Sequence, residues 1–358
     1  LRIFTPFDPL VQRRLEIGLK SGLSRFDEPE LQSAVIITDY LNGDVLALAG
    51  DRNTVFPGFN RAVMAQRPIG SLIKPLLLYS LIEQGASLAT PAKDRPVQIK
   101  QSDGDIWAPR NYDRQLHGEM TLYQAFIKSY NLPFVHLGVS GGLEYLAQNL
   151  DKINLLKHDI IYPSLLLGTT AMSPLEVAQL FQVIANNGYF TPLTTIRHVT
   201  NQQNQLLNRI PLVSRKLFDQ AAMIQVQRAM VGVSEEGTAQ YLAQRFSQQT
   251  LAGKTGTTND ARDSWFAGFS DRLLSVVWLG KDDNTPINLT GSAGALRLWA
   301  DIMQRQSFKP FIITRDETLE WHYMDRFSGR ITQHKCDDSV LLPFLKGRVP
   351  ERRSSCGK

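Results

Sequence analysis

The sequence predicts an α+β fold built on one antiparallel sheet of about five strands, with helices covering both faces of that sheet. A hairpin pattern near the N-terminus and three strand patterns near the C-terminus supply the strands, and helical patterns fill the chain between them. Both hairpin arms are nearly all apolar, which is typical of strands buried on both faces. We therefore expect strands from the two ends of the chain to meet in one sheet.

The first elements lead into this sheet. Residues 1–8 predict a strand or an extended lead-in, and residues 9–23 carry apolar side chains at helical spacing. The hairpin follows, with arms at residues 34–39 and 44–49. Its turn contains Asn42-Gly43, and this pair is the preferred centre of a type I′ turn because both residues tolerate positive φ.

A helix and a long polar segment come next. The helix begins at Ser71 and is expected to stop near Gly85. Residues 89–119 then predict a loop, and a loop of this length is either functional or disordered. Two short helices are expected at residues 121–129 and 142–153.

The second half of the chain has the clearest helix start. Ser173 is predicted to cap the helix, with Pro174 at its first position and Glu176 completing a capping box. Gly188 is expected to end this helix. A further core helix is predicted at residues 218–231.

The C-terminal part completes the sheet. Strands are predicted at residues 250–258, 264–269 and 273–279, and a closing helix at residues 293–306. The pattern weakens from about residue 308 onward.

Composition excludes several classes of function. The chain has 358 residues, a formal net charge of +5 and an isoelectric point near 9.1, but no run of Lys and Arg is interleaved with aromatic residues, so we expect no nucleic-acid binding. No uninterrupted apolar stretch of about 18 residues occurs, so we expect no membrane span within these residues. The two cysteines and six histidines match no metal-site spacing, and neither a metal nor a cofactor is expected.

One short motif suggests chemistry. Ser71 and Lys74 are three residues apart at the start of a helix, so they share a face, and Lys74 can take the proton of the Ser71 hydroxyl. Pro75 has no N–H to return to the carbonyl of Ser71, so a 3₁₀-like first turn is expected. Taken alone, the motif is more often an ordinary capped helix start.

Two further motifs change that balance. Ser129-Tyr130-Asn131 places a hydroxyl and an amide at the end of a short helix, and the segment 254–258 places Lys254, Thr255, Gly256 and Thr257 on one strand. Alone, the last motif is also typical of a polar edge strand. The three motifs in this order form the constellation of penicillin-binding proteins and class A β-lactamases.

The chain resembles the transpeptidase domain of class A penicillin-binding proteins, most closely the 1b type of Gram-negative bacteria. The resemblance covers residues 1–305 and is thin after that. Beyond the three motifs it is carried by the segments 3–8, 43–50, 67–71, 173–181, 236–238, 252–258 and 265–268. Tyr130 stands where class A β-lactamases have Asp, which favours the penicillin-binding proteins.

The resemblance implies the fold of the penicillin-binding proteins and serine β-lactamases, and a DD-transpeptidase activity. Ser71 would attack the penultimate D-Ala of a peptidoglycan stem peptide that ends in D-Ala-D-Ala, and Lys74 would be its base. Ser129 and Lys254 would relay a proton to the leaving amine. An amine of a neighbouring stem peptide would then resolve the acyl-enzyme, and β-lactams would acylate the same serine.

The remaining implied roles concern substrate binding. The backbone N–H groups of Ser71 and Thr257 would form the oxyanion hole. Thr255 and Thr257 would hold the terminal carboxylate, Gly256 would let the substrate backbone approach, and Asn131 would bind the donor amide. The donor would lie along the 254–258 strand like an added strand.

The resemblance also implies an organisation and a location. We expect a lead-in segment at residues 1–30 that links to an N-terminal glycosyltransferase domain outside this sequence, a transpeptidase domain at residues 31–307, and a C-terminal extension at residues 308–358. The parent protein would be bifunctional and anchored in the inner membrane by a segment before this domain, with the domain in the periplasm. Cell-wall synthesis proteins and lipoprotein activators are candidate partners. A periplasmic location permits a disulfide between Cys336 and Cys356, and two free thiols are an equal alternative.

Two other classes of function stay open. A β-lactamase or DD-carboxypeptidase uses the same acyl-enzyme but needs a second base for water, and the sequence offers no carboxylate next to Ser129-Tyr130-Asn131. A β-lactam sensor or a non-catalytic scaffold would use acylation as a signal or not at all. The complete set of motifs argues against the scaffold.

Overall fold

The computed structural model describes residues 1–54, 58–100, 104–157, 160–354 and 356. The helices are α1 (Pro9–Leu23), α2 (Arg61–Met64), α3 (Lys74–Glu83), α4 (Leu122–Ile127), α5 (Leu132–Leu137), α6 (Leu143–Lys152), α7 (Pro174–Ala185), α8 (Gln220–Glu235), α9 (Tyr241–Arg245) and α10 (Ala295–Met303). The strands are β1 (Arg2–Phe4), β2 (Gln32–Asp39), β3 (Asp44–Ala49), β4 (Arg67–Pro68), β5 (Pro91–Asp94), β6 (Ile99–Lys100), β7 (Ile106–Trp107), β8 (Gly118–Thr121), β9 (Ala171–Met172), β10 (Tyr189–Phe190), β11 (His198–Thr200), β12 (Leu206–Arg209), β13 (Arg215–Lys216), β14 (Ala252–Thr257), β15 (Asp263–Phe269), β16 (Leu273–Gly280), β17 (Leu319–Asp325) and β18 (Ser339–Leu345).

The chain forms two compact units, each assembled from three segments. Unit 1 contains Leu1–Leu72, Ala171–Phe218 and Leu242–Ile312, and unit 2 contains Ile73–Thr170, Asp219–Tyr241 and Ile313–Lys358. The boundaries expected from the sequence, at residues 30 and 307, stay a prediction.

Unit 1 is built on the predicted five-stranded sheet. Its strand order is β14-β15-β16-β2-β3, and every neighbouring pair is antiparallel. All residues of β15 are buried, and since successive residues of a strand point to opposite faces, both faces of the sheet are covered. The paired helices α1 and α10 cover one face, and α7 packs on β2, β15 and β16 from the other. The predicted fold class is confirmed.

The hairpin turn differs from the expected type I′ geometry. Gly43 has φ +72°, but Asn42 is not among the residues with positive φ. Four residues, Tyr40 to Gly43, connect the strands, and the N–H of Gly43 donates to the carbonyl of Asp39 at 2.9 Å. The loop is therefore longer than the two-residue turn that needs positive φ at both centres, and strands β2 and β3 also contain a bulge between Ile37 and Thr38.

Helix α7 begins as predicted and ends earlier. The Ser173 hydroxyl accepts the N–H of Glu176 at 3.2 Å, and the Glu176 carboxylate accepts the N–H of Ser173 at 2.6 Å. The C-cap is Asn186, and Gly188 lies two residues beyond it with φ +85°. Asn187 (φ +53°) and Gly188 are both left-handed, and the N–H of Gly188 donates to the carbonyl of Val183 at 2.9 Å, so Asn187 takes the left-handed position after the cap and Gly188 follows it.

Unit 2 is mainly helical. Its helix α3 packs against α6 and α8, and α4 packs against α8. The segment expected to be a loop at residues 89–119 contains parts of two small sheets, β5 paired with β8 and β6 paired with β7. Residues 101–103 of that segment lie outside the described residues. The sequence interpretation of this segment as a loop was therefore wrong for its strands.

The weakly patterned C-terminal part is also structured. Strands β17 and β18 form an antiparallel hairpin, and Leu319 of β17 lies in an apolar cluster with Ala221 and Ile224 of α8. Cys336 and Cys356 form a disulfide, which decides between the two alternatives that the sequence left open. Among the described residues, no helix is both long and apolar enough to cross a bilayer.

Candidate active site

Ser71 lies on a single 3₁₀ turn that runs straight into α3. The turn spans Gly70–Ile73 and α3 begins at Lys74, so the predicted 3₁₀-like start is confirmed. Pro75 explains the change of helix type, because a proline cannot complete the α-helical hydrogen bond to the carbonyl four residues earlier. Ser71 is half-buried, and its backbone N–H belongs to the first turn, where a helix supplies no acceptor of its own.

Within unit 1, two glycines let this turn approach strand β14 closely. Gly70 has φ +54°, and a Cβ built on it would lie 2.6 Å from the carbonyl oxygen of Thr257. A Cβ on Gly256 would lie 2.8 Å from the carbonyl oxygen of Ile69. The Trp265 indole, from the neighbouring strand, donates to the carbonyl of Pro68 at 3.0 Å. The backbone next to Ser71 is thus fixed against β14 at a distance that excludes side chains.

Thr257 presents its backbone away from the sheet. β14 is an outer strand, and the N–H of Thr258 donates inward to the carbonyl of Asp263 at 3.2 Å. Because hydrogen-bonded and non-hydrogen-bonded pairs alternate along an antiparallel ladder, the N–H of Thr257 points outward. Its hydroxyl accepts the N–H of Gly291 at 2.9 Å, which leaves the hydroxyl proton available for donation.

Lys254 and Thr255 lie earlier on the same strand. The Lys254 side chain is fully buried, and its Nζ donates to the carbonyl of Thr255 at 3.1 Å. Burial lowers the pKa of Lys254 to about 7, because the charged ammonium loses its hydration. This amine is therefore a group that changes charge near neutral pH.

Within unit 2, Lys74 is bonded to all three residues of the Ser-Tyr-Asn motif. Its side chain is fully buried, and Nζ donates to the carbonyls of Ser129 at 2.6 Å and Tyr130 at 2.9 Å and to Oδ1 of Asn131 at 2.8 Å. The Ser129 hydroxyl lies 3.5 Å away. The ring of Phe134 faces the amine, with 5.5 Å between Nζ and the ring centroid.

Ser129 has an uncommon backbone conformation, with φ +62°. It follows the C-cap of α4, and the N–H groups of Ser129 and Tyr130 donate to the carbonyls of Phe126 and Ala125, both at 3.0 Å. These two bonds define a Schellman motif, in which the residue after the cap is left-handed and is usually glycine. A serine in that position carries backbone strain and is a marker of functional sites.

Sequence reasoning missed the residues that hold Asn131. The side chain of Asn111, from the 89–119 segment, accepts the N–H of Asn131 at 2.8 Å, and Asn111 in turn donates to both carboxylate oxygens of Asp94 at 2.7 and 2.8 Å. The carboxamide of Asn131 also donates to the carbonyl of Arg110 at 2.9 Å. The length of the 89–119 segment predicted a role for it, but no pattern identified the residues.

The structure thus assembles the predicted residues into two groups. Ser71, Lys254, Thr255, Gly256 and Thr257 lie in unit 1, and Lys74, Ser129 and Asn131 lie in unit 2. The chain passes from one unit to the other between Leu72 and Ile73, inside the helical run that carries both Ser71 and Lys74. Among the described residues, no group of three or more His, Cys, Asp or Glu side chains could hold a metal ion.

Comparisons with known proteins agree with this fold and these motifs. The sequence model of the penicillin-binding protein transpeptidase domain matches residues 33–285. Penicillin-binding protein 1B of Vibrio cholerae is 40% identical over 351 residues, which cover 96% of this chain and 45% of that protein. The crystal structure of penicillin-binding protein 1A from Haemophilus influenzae has a TM-score of 0.82 at 22% identity and covers 91% of this chain and 55% of that one. The PonA1 protein of Mycobacterium tuberculosis in complex with penicillin V has a TM-score of 0.72 at 22% identity, with 87% and 89% covered.

The fold and the motif-bearing region are those of a penicillin-binding transpeptidase domain, and the chain belongs to this family. Its curated relatives at 30–40% identity include several penicillin-binding proteins 1B of Gram-negative bacteria. The chain spans a little under half the length of the Vibrio cholerae relative.

Proposed function

We propose that this domain is a serine DD-transpeptidase that cross-links peptidoglycan stem peptides, with Ser71 as its nucleophile. The proposal rests on the environments of Ser71 and Lys74. Ser71 is half-buried on a fixed turn beside Thr257, and Lys74, at the start of α3, is buried and bonded to Ser129 and Asn131. Membership of the transpeptidase family supports the reaction class.

The reaction proceeds in two balanced steps. Ser71 Oγ attacks the carbonyl carbon of the penultimate D-Ala, and Lys74 accepts the hydroxyl proton. The C–N bond to the terminal D-Ala breaks, and its nitrogen leaves as an amine with a proton relayed through Ser129 and Lys254. An acceptor amine then attacks the Ser71 ester, forms the new peptide bond and returns the serine hydroxyl.

The contacts of Lys74 define what its role as a base requires. Three oxygens accept from Nζ at 2.6–2.9 Å, which matches the three protons of an ammonium group. A neutral amine donates two such bonds and presents one lone pair, so one contact must be released before Lys74 accepts a proton. The Ser129 hydroxyl, at 3.5 Å, is the group that can then reverse its role and donate to the amine.

The oxyanion hole is assigned to the N–H groups of Ser71 and Thr257. The Thr257 N–H points outward from β14, and the close packing of Gly70 on Thr257 fixes the turn that carries the Ser71 N–H. Donors fixed in this way are worth about 3–4 kcal/mol each toward the transition state, since they need no reorganisation when negative charge develops.

The donor carboxylate is assigned to Thr255, Thr257 and Lys254. The two threonine side chains share one face of β14 because they are two residues apart, and Lys254, on the other face by the same alternation, supplies positive charge from a short distance. Gly256 between them leaves the strand backbone open to an extended donor peptide, and Asn131 binds the donor amide.

Several wider properties belong to the same proposal. The parent protein is bifunctional, with a glycosyltransferase domain and a membrane anchor preceding residues 1–30, and residues 31–307 form the transpeptidase domain in the periplasm, followed by the extension at residues 308–358. The names of the 1B relatives support this assignment. β-Lactams are expected to acylate Ser71, and the complex of PonA1 with penicillin V supports that expectation.

Intact-mass spectrometry after mixing with benzylpenicillin tests the proposal. We expect one covalent adduct per chain and none in Ser71→Ala, and we expect an added amine to be acylated by a D-Ala-D-Ala donor. A control variant at an exposed serine in unit 1, Ser214→Ala, should label normally. Labelling of Ser71→Ala would refute the assignment of the nucleophile, and rapid penicillin hydrolysis without transfer to the amine would identify a β-lactamase instead.

A further inference from the structure

A buried polar cluster in unit 2 lies directly behind the Ser129–Asn131 segment. Asn111 is 4% exposed and Asp94 is 2% exposed. Oδ1 of Asn111 accepts the backbone N–H groups of Asn131 at 2.8 Å and Leu132 at 3.2 Å. Its Nδ2 donates to both oxygens of Asp94 and to the carbonyl of Gln115 at 2.9 Å. Every donor and acceptor of this amide is therefore engaged.

The same carboxylate fixes a second contact to the motif. Oδ2 of Asp94 also accepts the backbone N–H of His117 at 2.8 Å. The imidazole of His117 stacks on the ring of Tyr130, with centroids 4.1 Å apart and an interplanar angle of 19°. Asp94 thereby holds one residue against the backbone of Asn131 and another against the side chain of Tyr130.

These contacts act on a segment that its own backbone does not favour. Ser129 has φ +62°, and a non-glycine residue keeps such a conformation only where its surroundings impose it. The bonds from Lys74 to the Ser129 and Tyr130 carbonyls and to Oδ1 of Asn131 all depend on where this segment lies. A shift of the Asn131 backbone would move all three acceptors relative to the amine.

We propose that Asp94 and Asn111 form a clamp that positions Ser129, Asn131 and, through them, Lys74 for acylation of Ser71. This inference rests on the proposed function. The two residues are positioning residues, since they reach the reacting groups only through the backbone of Asn131 and Leu132. The clamp sets the rate of acylation more than the affinity for the β-lactam, because it fixes the base and the proton relay.

The test compares Asn111→Ala with a matched control in the same unit. Asn149 is 1% exposed, and its amide donates to the Ser80 hydroxyl at 3.0 Å and accepts from Lys152 at 2.8 Å, away from the motif. Rapid-quench experiments with benzylpenicillin separate the acylation rate constant from the dissociation constant of the first complex. We expect Asn111→Ala to acylate about 10–100-fold more slowly with little change in that dissociation constant, because a displacement near 1 Å can cost about a hundredfold. Asn149→Ala should stay within about threefold of the wild type.

A rescue experiment covers the case in which Asn111→Ala does not fold. Asn111→Asp alone places two carboxylates face to face and should slow acylation. Adding Asp94→Asn restores a donor–acceptor pair of reversed polarity, in which residue 111 still accepts the N–H of Asn131 and residue 94 still accepts the N–H of His117, and only the bond to the Gln115 carbonyl stays lost. We expect the double variant to acylate at least about tenfold faster than Asn111→Asp, since the restored bonds are those that position the Ser129–Asn131 segment.

The outcomes separate the two proposals. A wild-type chain that is not acylated overturns the proposed function and this inference with it. A wild-type chain that is acylated normally, with Asn111→Ala no slower than Asn149→Ala or with a double variant no faster than Asn111→Asp, overturns the clamp alone.

Discussion

Replacing Ser129 by glycine should give a more stable protein than replacing it by alanine, and both replacements should lower activity. Its φ of +62° lies in the left-handed region, which costs an L-residue about 1–2 kcal/mol and glycine almost nothing. Glycine also gives the unfolded chain more freedom, which offsets about 0.4–1 kcal/mol of that gain. Alanine retains the strain and, like glycine, lacks the hydroxyl. We therefore expect Ser129→Gly to exceed Ser129→Ala in unfolding free energy by about 1 kcal/mol.

Urea denaturation at 25 °C measures this difference, and the midpoint of the transition reporting on unit 2 should be roughly 0.3 M higher for the glycine variant. Both variants should be acylated by benzylpenicillin at least about a hundredfold more slowly than the wild type, since both lose a group of the proton relay. Both variants lack the hydroxyl, so the difference between their unfolding free energies reports only the conformational cost of the backbone at residue 129. Equal midpoints for the two variants would refute the strain at Ser129, and near-normal acylation of either would remove its hydroxyl from the mechanism.

Three other predictions follow from the lysines and the disulfide. Lys74→Arg keeps a charge but cannot deprotonate at usable pH, so acylation should fall at least about a hundredfold, and a normal rate would place the base elsewhere. Burial lowers the pKa of Lys254 from 10.5 to about 7, so between pH 7 and pH 10.5 the unfolded chain binds more protons than the folded chain. The unfolding free energy should therefore rise with pH across this window more steeply in the wild type than in Lys254→Met. Equal slopes for the two proteins would contradict this prediction. The disulfide closes a loop of 20 residues, so Cys336→Ser should lower the stability of unit 2 by about 3 kcal/mol in thermal unfolding, and thiol titration of the unreduced, denatured wild type should find no free thiol.

The sheet and the helices of unit 1 could be predicted because their patterns are strong and long. Strands β2, β15 and β16 are mostly apolar and almost entirely buried, and α7 carries three agreeing start signals in Ser173, Pro174 and Glu176. Helix α1 matches its predicted bounds, since Asp8 caps it and Pro9 opens it. The type I′ prediction at Asn42-Gly43 was wrong because the Gly43 N–H bonds to the carbonyl of Asp39 across a four-residue loop, in which Gly43 has positive φ and Asn42 does not.

The elements of unit 2 that were missed are short or only partly buried. Helix α5 has six residues, and the paired strands between residues 91 and 121 have two to four residues each, so none is long enough to display a period. Strand β17 is mostly half-buried, and the alternation of apolar and polar residues over its first five positions was missed in the sequence analysis. These elements form through tertiary contacts, which local propensity does not encode.

The candidate site also contains residues that the sequence could predict and residues that it could not. The three motifs could be found because each compresses its chemistry into a few consecutive residues. The Asp94–Asn111 clamp could not be found from the sequence. Its hydrogen bonds join residues that are 17 and 20 positions apart, and an asparagine in a polar segment carries no periodic signal. Sequence reasoning therefore identified the groups proposed to react and missed the groups that hold them.

The position of Asp94 also bears on whether the proposed acyl-enzyme reacts with an amine or with water. The sequence offered no carboxylate next to Ser129-Tyr130-Asn131, yet the structure ties Asp94 to this motif through Asn111. A base for hydrolysis must reach a water molecule within hydrogen-bond distance and accept its proton. Both oxygens of Asp94 already accept N–H groups, from Asn111 and His117, and the residue is 2% exposed. Asp94 is thus occupied as a structural acceptor, and it is not a candidate base for activating water in the proposed mechanism. Because a neutral amine is a stronger nucleophile than water, we expect the proposed acyl-enzyme to react faster with an amine acceptor than with water.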